Sequence, residues 1–210
     1  MATSAAASSP GTADVDDLRP VLLLLNVQRG LLLDPDTRIP DAEPVLDNIR
    51  RVLLAARSAA PEVRPRIIHL RNSGEAGEPD EEGTASWGLV PLHDAAAGTT
   101  GLPAGEVVVD KKKSNAFTVL DELISPDVEI VVVGVLSEYS VKSTIKAALG
   151  RGNSVILMRG AHGTYPHVEL ANNGNVTPAE KIVAQVEEEL DLAGAMVLDM
   201  ELLPNLFEGR

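Results

Sequence analysis

From Pro20 onward, short aliphatic runs alternate with longer amphipathic stretches. Residues 21–27, 66–70, 106–109, 129–135, 154–158 and 195–198 read as strands; residues 43–58, 119–123, 141–149 and 178–190 read as helices. The run Ile130-Val131-Val132-Val133 lacks period-2 alternation, the pattern of a parallel strand covered on both faces. Regular alternation of strand and helix predicts an α/β protein, a three-layer α/β/α domain with a mostly parallel central sheet. In such a sheet, ligands bind beyond the carboxyl ends of the strands. That rule selects Asn26 to Gln28, His69 to Asn72, Asp110 to Lys113, Val135 to Ser140 and Arg159 to His162 as the places for chemistry.

Composition narrows the picture. The 210 residues suit one domain, read here as 18–210, preceded by an Ala/Ser/Thr/Gly-rich and then acidic segment, 1–17, with no apolar run to anchor it, which reads as a disordered tail. Residues 72–105 are rich in Gly, Glu, Pro and Thr, are long for a connection, and hold the one Trp, as a lid over a site would. A net charge of −13 repels phosphate, and two Phe, two Tyr and one Trp supply little for base stacking, so neither nucleic acid nor an anionic membrane surface is an expected partner. No stretch approaches the roughly 20 apolar residues of a membrane span, and the short 21–25 run follows acids rather than a basic segment, which predicts a cytoplasmic protein. The absence of cysteine excludes disulfides, thiolate metal sites and a cysteine nucleophile together.

Three ordered motifs at the strand ends carry a family resemblance. Leu-Leu-Leu-Asn26-Val-Gln28 looks like a strand ending in Asp-x-Gln. Val-Val-Asp-Lys111-Lys-Lys-Ser-Asn-Ala-Phe117 resembles a Lys placed six residues before the Phe of an Ala-Phe pair. Gly134-Val135-Leu136-Ser137-Glu138-Tyr139-Ser140-Val141 is similar to a Gly-Val-Ala-Thr-Asp-x-Cys-Val turn. This set resembles the isochorismatase-like superfamily of nicotinamidases, N-carbamoyl amidohydrolases and isochorismatases. The resemblance implies that family's Rossmann-like fold, a small-molecule substrate and a homo-oligomer. It also implies a cis peptide between Val135 and Leu136, with the N–H groups of Leu136 and Ser140 as an oxyanion hole.

Carried over position by position, the family's Asp-Lys-Cys triad becomes Asn26, Lys111 and Ser140. An amide cannot accept a proton at neutral pH as a carboxylate does, and a serine hydroxyl is a far weaker acid than a thiol. Thiol hydrolysis is therefore excluded. Isochorismatases proper lack the Cys but keep the Asp as an acid, a role Asn26 cannot fill either. Lys111 can serve as an acid, or as a base if burial lowers its pKa, or it is simply one of three solvated lysines. Ser140 is a nucleophile or a helix N-cap.

Further site candidates follow from the same strand ends. Gln28 reads as a structural hydrogen-bonder beside the substrate; Trp87 and Phe117 are pocket walls or core. Ser137 and Tyr165 border the site, and His162 is either a replacement base for Ser140 or a hydrogen-bonded structural residue. The segment His69-Leu-Arg71-Asn72-Ser-Gly holds no ligand cluster, so neither a metal nor another cofactor is expected. Phe-Thr-Val-Leu120 is two residues shorter than the family spacing, which puts the shape of the Lys111 loop in question.

Two functions fit. One is an atypical, cysteine-independent enzyme acting on a small carbonyl compound by proton transfer, isomerisation, cyclisation, elimination or serine-based hydrolysis. The other is an inactive relative kept as a binding or oligomeric scaffold. Asn for Asp and Ser for Cys are also the near-isosteric changes used to trap substrates, but Glu138-Tyr139 departs from the family pattern as well, which points to natural divergence.

Overall fold

The computed structural model describes residues 18–92, 102–169 and 174–208; the predicted tail, 1–17, and part of the predicted lid lie outside them. Six parallel strands form one sheet in the order β3-β2-β1-β4-β5-β8. They are β1 (Val21–Leu25), β2 (Arg66–Asn72), β3 (Glu106–Lys111), β4 (Ile130–Val135), β5 (Val155–Gly163) and β8 (Met196–Leu198), while β6 (His167–Glu169) and β7 (Asn175–Thr177) make a separate antiparallel hairpin.

β1 is apolar throughout because both its faces are covered. Leu22 and Leu24 join Ile49, Leu53 and Ala56 of helix α2 (Ala42–Ser58), together with Leu203 and Phe207 at the C-terminus. Val21, Leu23 and Leu25 face the other way, onto α3 (Phe117–Leu120), α4 (Lys142–Arg151) and α5 (Ala179–Leu192), through Leu120, Ile145 and Val186. Two helical layers thus enclose the central strands, made of Leu, Val and Ile, and each buried aliphatic side chain contributes about 1.5–3 kcal/mol through area removed from water.

The chain runs outward from β1 through β2 and β3, then returns to β1's other side as β4 and continues to β5 and β8. The direction of winding reverses between β1 and β4, and in sheets of this kind ligands bind beyond the strand ends at such a reversal. Gly134 makes this closeness possible: a Cβ there would lie 2.1 Å from the Leu25 carbonyl oxygen.

Several element boundaries differ from the sequence reading. The predicted helix 119–123 begins earlier and lasts one turn, because Asn115 Oδ1 accepts from the Phe117 N–H at 2.9 Å and starts the turn there. The helix after β4 opens with a π-helical turn, Ser137–Val141, before α4. β5 runs five residues past its predicted end, beyond an irregularity in its pairing with β4 that sets His162 opposite Gly134. The one-turn helix α1 (Arg29–Leu32), the β6–β7 hairpin and a 3-10 segment, Met200–Asn205, carried no periodic signal long enough to read.

Candidate active site

Asn26, the residue after β1, has φ of 52°. This left-handed conformation suits Asn better than most side chains. It ends the strand in a tight turn, with the Gln28 N–H donating to the Asn26 carbonyl at 2.7 Å, and it directs the Asn26 amide toward the π-helical turn that follows β4. Asn26 Nδ2 donates to Ser140 Oγ at 3.0 Å across 114 residues of sequence.

Lys111 closes the group from the other side. It ends β3, paired in register with Asn72 of β2, and Nζ donates to Ser140 Oγ, Asn72 Oδ1 and the Lys113 carbonyl, each at 3.2 Å. Of the three consecutive lysines, Lys111 is 2% exposed while Lys112 and Lys113 are solvated. Burial lowers its pKa to about 8, against a smaller opposing effect from the charge of Asp80. The loop after Lys111 is tied to α4 by Thr144, whose Oγ1 accepts from the Ala116 N–H at 3.0 Å.

Ser140 lies within the π-helical turn, a feature common at functional sites, and its Oγ faces Asn26 and Lys111. It is not an N-cap: α4 has no side-chain cap at its start. The Val135–Leu136 peptide is cis, as the resemblance implied.

Gln28 is fully buried and ties the site to the following loop. Its Oε1 accepts from the Asn72 N–H at 2.8 Å, and its Nε2 donates to the carbonyls of Asn72 and Trp87 at 2.9 and 3.0 Å. The described part of the predicted lid is stitched to the end of β1: the Val90 N–H donates to the Val27 carbonyl, and the Gly30 N–H to that of Ser86. Trp87 is half-buried beneath the Arg71 guanidinium, which lies 3.6 Å from its ring centroid.

Four other candidates, Ser137, His162, Phe117 and Tyr165, make contacts of their own outside this hydrogen-bonded cluster. Ser137 Oγ and His162 Nδ1 are 2.9 Å apart, and His162 Nε2 faces Glu187 Oε1 at 3.1 Å, so both ring nitrogens are engaged away from Ser140. Burial works against Glu187 ionising, yet its hydrogen bonds with His162 and Arg159 outweigh this and hold its pKa below the usual range. Phe117 is core rather than pocket wall, packed in the cluster with Leu120, Val141 and Ile145. Tyr165 donates its hydroxyl to the Thr37 carbonyl, and its pKa is pushed up to about 12 by burial, with the charge of Asp80 adding to the effect.

One group went unread in the sequence. Asp80, 6% exposed, accepts from Asn72 Nδ2 at 2.7 Å. It lies in a Gly/Glu-rich loop whose composition looks solvated, and only the fold shows which of that loop's acids turns inward. Among the described residues, no three His, Asp or Glu side chains converge as a metal site requires.

The isochorismatase-domain family model matches residues 20–185. The chain belongs to the isochorismatase family. A streptothricin hydrolase from Streptomyces noursei is 36% identical over 168 residues, 77% of this chain; the chain spans about 60% of that relative's length. An isochorismatase from Pseudomonas putida shares the fold, with a TM-score of 0.70 at 24% identity over 92% of this chain and 93% of its own. So does a cysteine hydrolase from Pseudomonas syringae, with a TM-score of 0.73 at 15% identity over 95% and 97%. Within this isochorismatase fold, Asn26 after β1, Lys111 at the end of β3 and Ser140 after β4 form one hydrogen-bonded cluster.

Proposed function

We propose that this protein is a serine-dependent hydrolase of small carbonyl compounds, with Ser140 as nucleophile and Lys111 as its base. The observation that carries the reading is the 3.2 Å separation of Lys111 Nζ from Ser140 Oγ at a buried site. A pKa of about 8 leaves part of the Lys111 population as the free amine near neutrality, and a buried Lys–Ser pair is an established way to activate a hydroxyl. The base missing from the Asn26 position is supplied by Lys111.

In the proposed reaction the Ser140 hydroxyl proton passes to the Lys111 amine as Oγ bonds to the substrate carbonyl carbon. The carbonyl electron pair moves to oxygen, which the N–H groups of Leu136 and Ser140 receive. Asn26 Nδ2 stabilises the developing alkoxide by donating to it. The Lys111 ammonium then returns its proton to the leaving nitrogen or oxygen, and water releases the acyl group by the same steps in reverse order. A relative named for hydrolysing streptothricin supports hydrolysis of an organic small molecule.

The replacement of the family Asp by Asn26 favours a second reading, a ligand-binding scaffold without turnover. Screening the full chain against small amides, imides and esters, with mass spectrometry to trap acyl adducts, separates the two. Serine hydrolysis predicts an adduct on Ser140 and loss of turnover by at least about 100-fold in Ser140→Ala. Unaltered ligand that raises thermal stability, with no adduct, supports the scaffold.

A further inference from the structure

Asn72 stands between Lys111 and a carboxylate that the reaction above leaves unused. Its Oδ1 accepts from Lys111 Nζ at 3.2 Å, and its Nδ2 donates to Asp80 Oδ2 at 2.7 Å. An amide that donates to a carboxylate becomes a better acceptor at its other end, since hydrogen bonds in a chain polarise one another. Gln28 fixes this bridge in place by holding the Asn72 backbone at both its N–H and its carbonyl.

The loop is shaped to bring Asp80 inward. The Gly74 N–H donates to the Asp80 carbonyl at 3.0 Å, and the Glu82 N–H to the Gly74 carbonyl at 3.2 Å. A Cβ on residue 74 would lie 2.3 Å from Asp80 Oδ1, so the carboxylate occupies space that only glycine leaves open. Among the described residues Asp80 makes no ion pair, although it is buried; burial lifts its pKa, and the Asn72 hydrogen bond opposes that rise. A carboxylate held this way is costly in folding free energy.

We infer that Asp80 is a positioning residue for the Ser140 reaction, the carboxylate that this site has in place of one at position 26, acting on Lys111 through the Asn72 amide. The inference rests on the Ser140–Lys111 reading. When the proton leaves Ser140 Oγ for Lys111 Nζ, the new ammonium is stabilised by the negative charge beyond Asn72; Asp80 itself takes no proton. The groups that bear on this charge are few. Lys111 is faced by the neutral side chains of Asn72 and Ser140 and by the Lys113 carbonyl, and Ser140 is bonded in turn to the neutral amide of Asn26. Asp80 is influenced by Glu78 on its own loop and by Lys111, and Tyr165 after β5 lies within reach of its field.

The test compares the full-length wild type with Asp80→Asn. The Lys111 titration midpoint is read by 13C NMR on lysine labelled at Cε, assigned with Lys111→Met. The pH dependence of Ser140 modification by a fluorophosphonate is measured in parallel. Removing the negative charge lowers the Lys111 midpoint by about one pH unit, moves the rise of Ser140 reactivity to lower pH, and reduces its plateau about tenfold. Asn72→Ser, which cuts the bridge while keeping the carboxylate, shifts the midpoint in the same direction and serves if Asp80→Asn fails to fold. An unmoved Lys111 midpoint in a folded variant overturns the role of Asp80. Absence of any Ser140 modification in the wild type overturns the hydrolase reading instead, and the NMR midpoint still judges Asp80 separately.

Discussion

Asn26 and Ser140, separated by 114 positions in the chain, meet through a 3.0 Å hydrogen bond in which the amide donates to the hydroxyl oxygen. With Lys111 also donating to that oxygen, Ser140 is surrounded by groups that stabilise an alkoxide, while Asn26 Oδ1 is buried with no partner among the described residues. Under the reading proposed above, this cluster is a nucleophile site whose base is Lys111.

Lys111→Met should abolish activity and raise stability at pH 7. Burial lowers the Lys111 pKa in the folded state from 10.5 to about 8, so between these values the unfolded chain binds more protons and wild-type stability rises with pH. Below about pH 8 both states carry the charge and the folded state bears the whole cost, on the order of 3 kcal/mol. Chemical denaturation should show Lys111→Met more stable by about 1–3 kcal/mol at pH 7, the gap closing toward pH 10. A gap independent of pH would mean that Lys111 is charged in the native state throughout this range.

Asn26→Asp introduces a carboxylate next to the Lys–Ser pair. It stabilises the ammonium, raises the Lys111 pKa above about 8, and moves the rise of activity to higher pH, with a loss of about tenfold at pH 7 for each unit moved. The positive φ at this position makes Asp the informative change, since Ala would add backbone strain of about 1–2 kcal/mol. A pH–rate profile identical to wild type would contradict Lys111 as the base.

Gln28→Leu removes three hydrogen bonds to the Asn72 and Trp87 backbones. The stranded buried groups should destabilise the fold by about 2–4 kcal/mol, visible as a lowered urea midpoint. A change of under about 0.5 kcal/mol would show that water replaces the lost bonds.

His162→Ala leaves Ser137 Oγ and the Glu187 carboxylate without their shared partner. Loss of about 2–4 kcal/mol of stability is expected, with the pH midpoint of Ser140 reactivity unmoved. A shifted midpoint would return His162 to the reaction.

The layered fold was legible because its strands are continuous aliphatic runs and its long helices are amphipathic. The Asn26/Lys111/Ser140 register was legible because each residue ends or follows a strand. What escaped was tertiary. Asp80 is one acid among several in a loop, and its inward turn depends on the space at Gly74. His162 and Phe117 have side chains that serve equally well in a site or a core, and only Glu187, 25 residues further on, and the α4 packing decide between the two. The π-helical turn that aims Ser140 has no periodic signature, since it replaces a single turn of helix.

The central claim, that Lys111 activates Ser140, is tested most directly by the rate at which a fluorophosphonate modifies Ser140 as a function of pH, with the site identified by peptide mass spectrometry. The account predicts modification at Ser140, a rate that rises with a midpoint near 8, and a fall of at least about 100-fold in Lys111→Met. Modification that is absent, or as fast in Lys111→Met as in wild type, would contradict it.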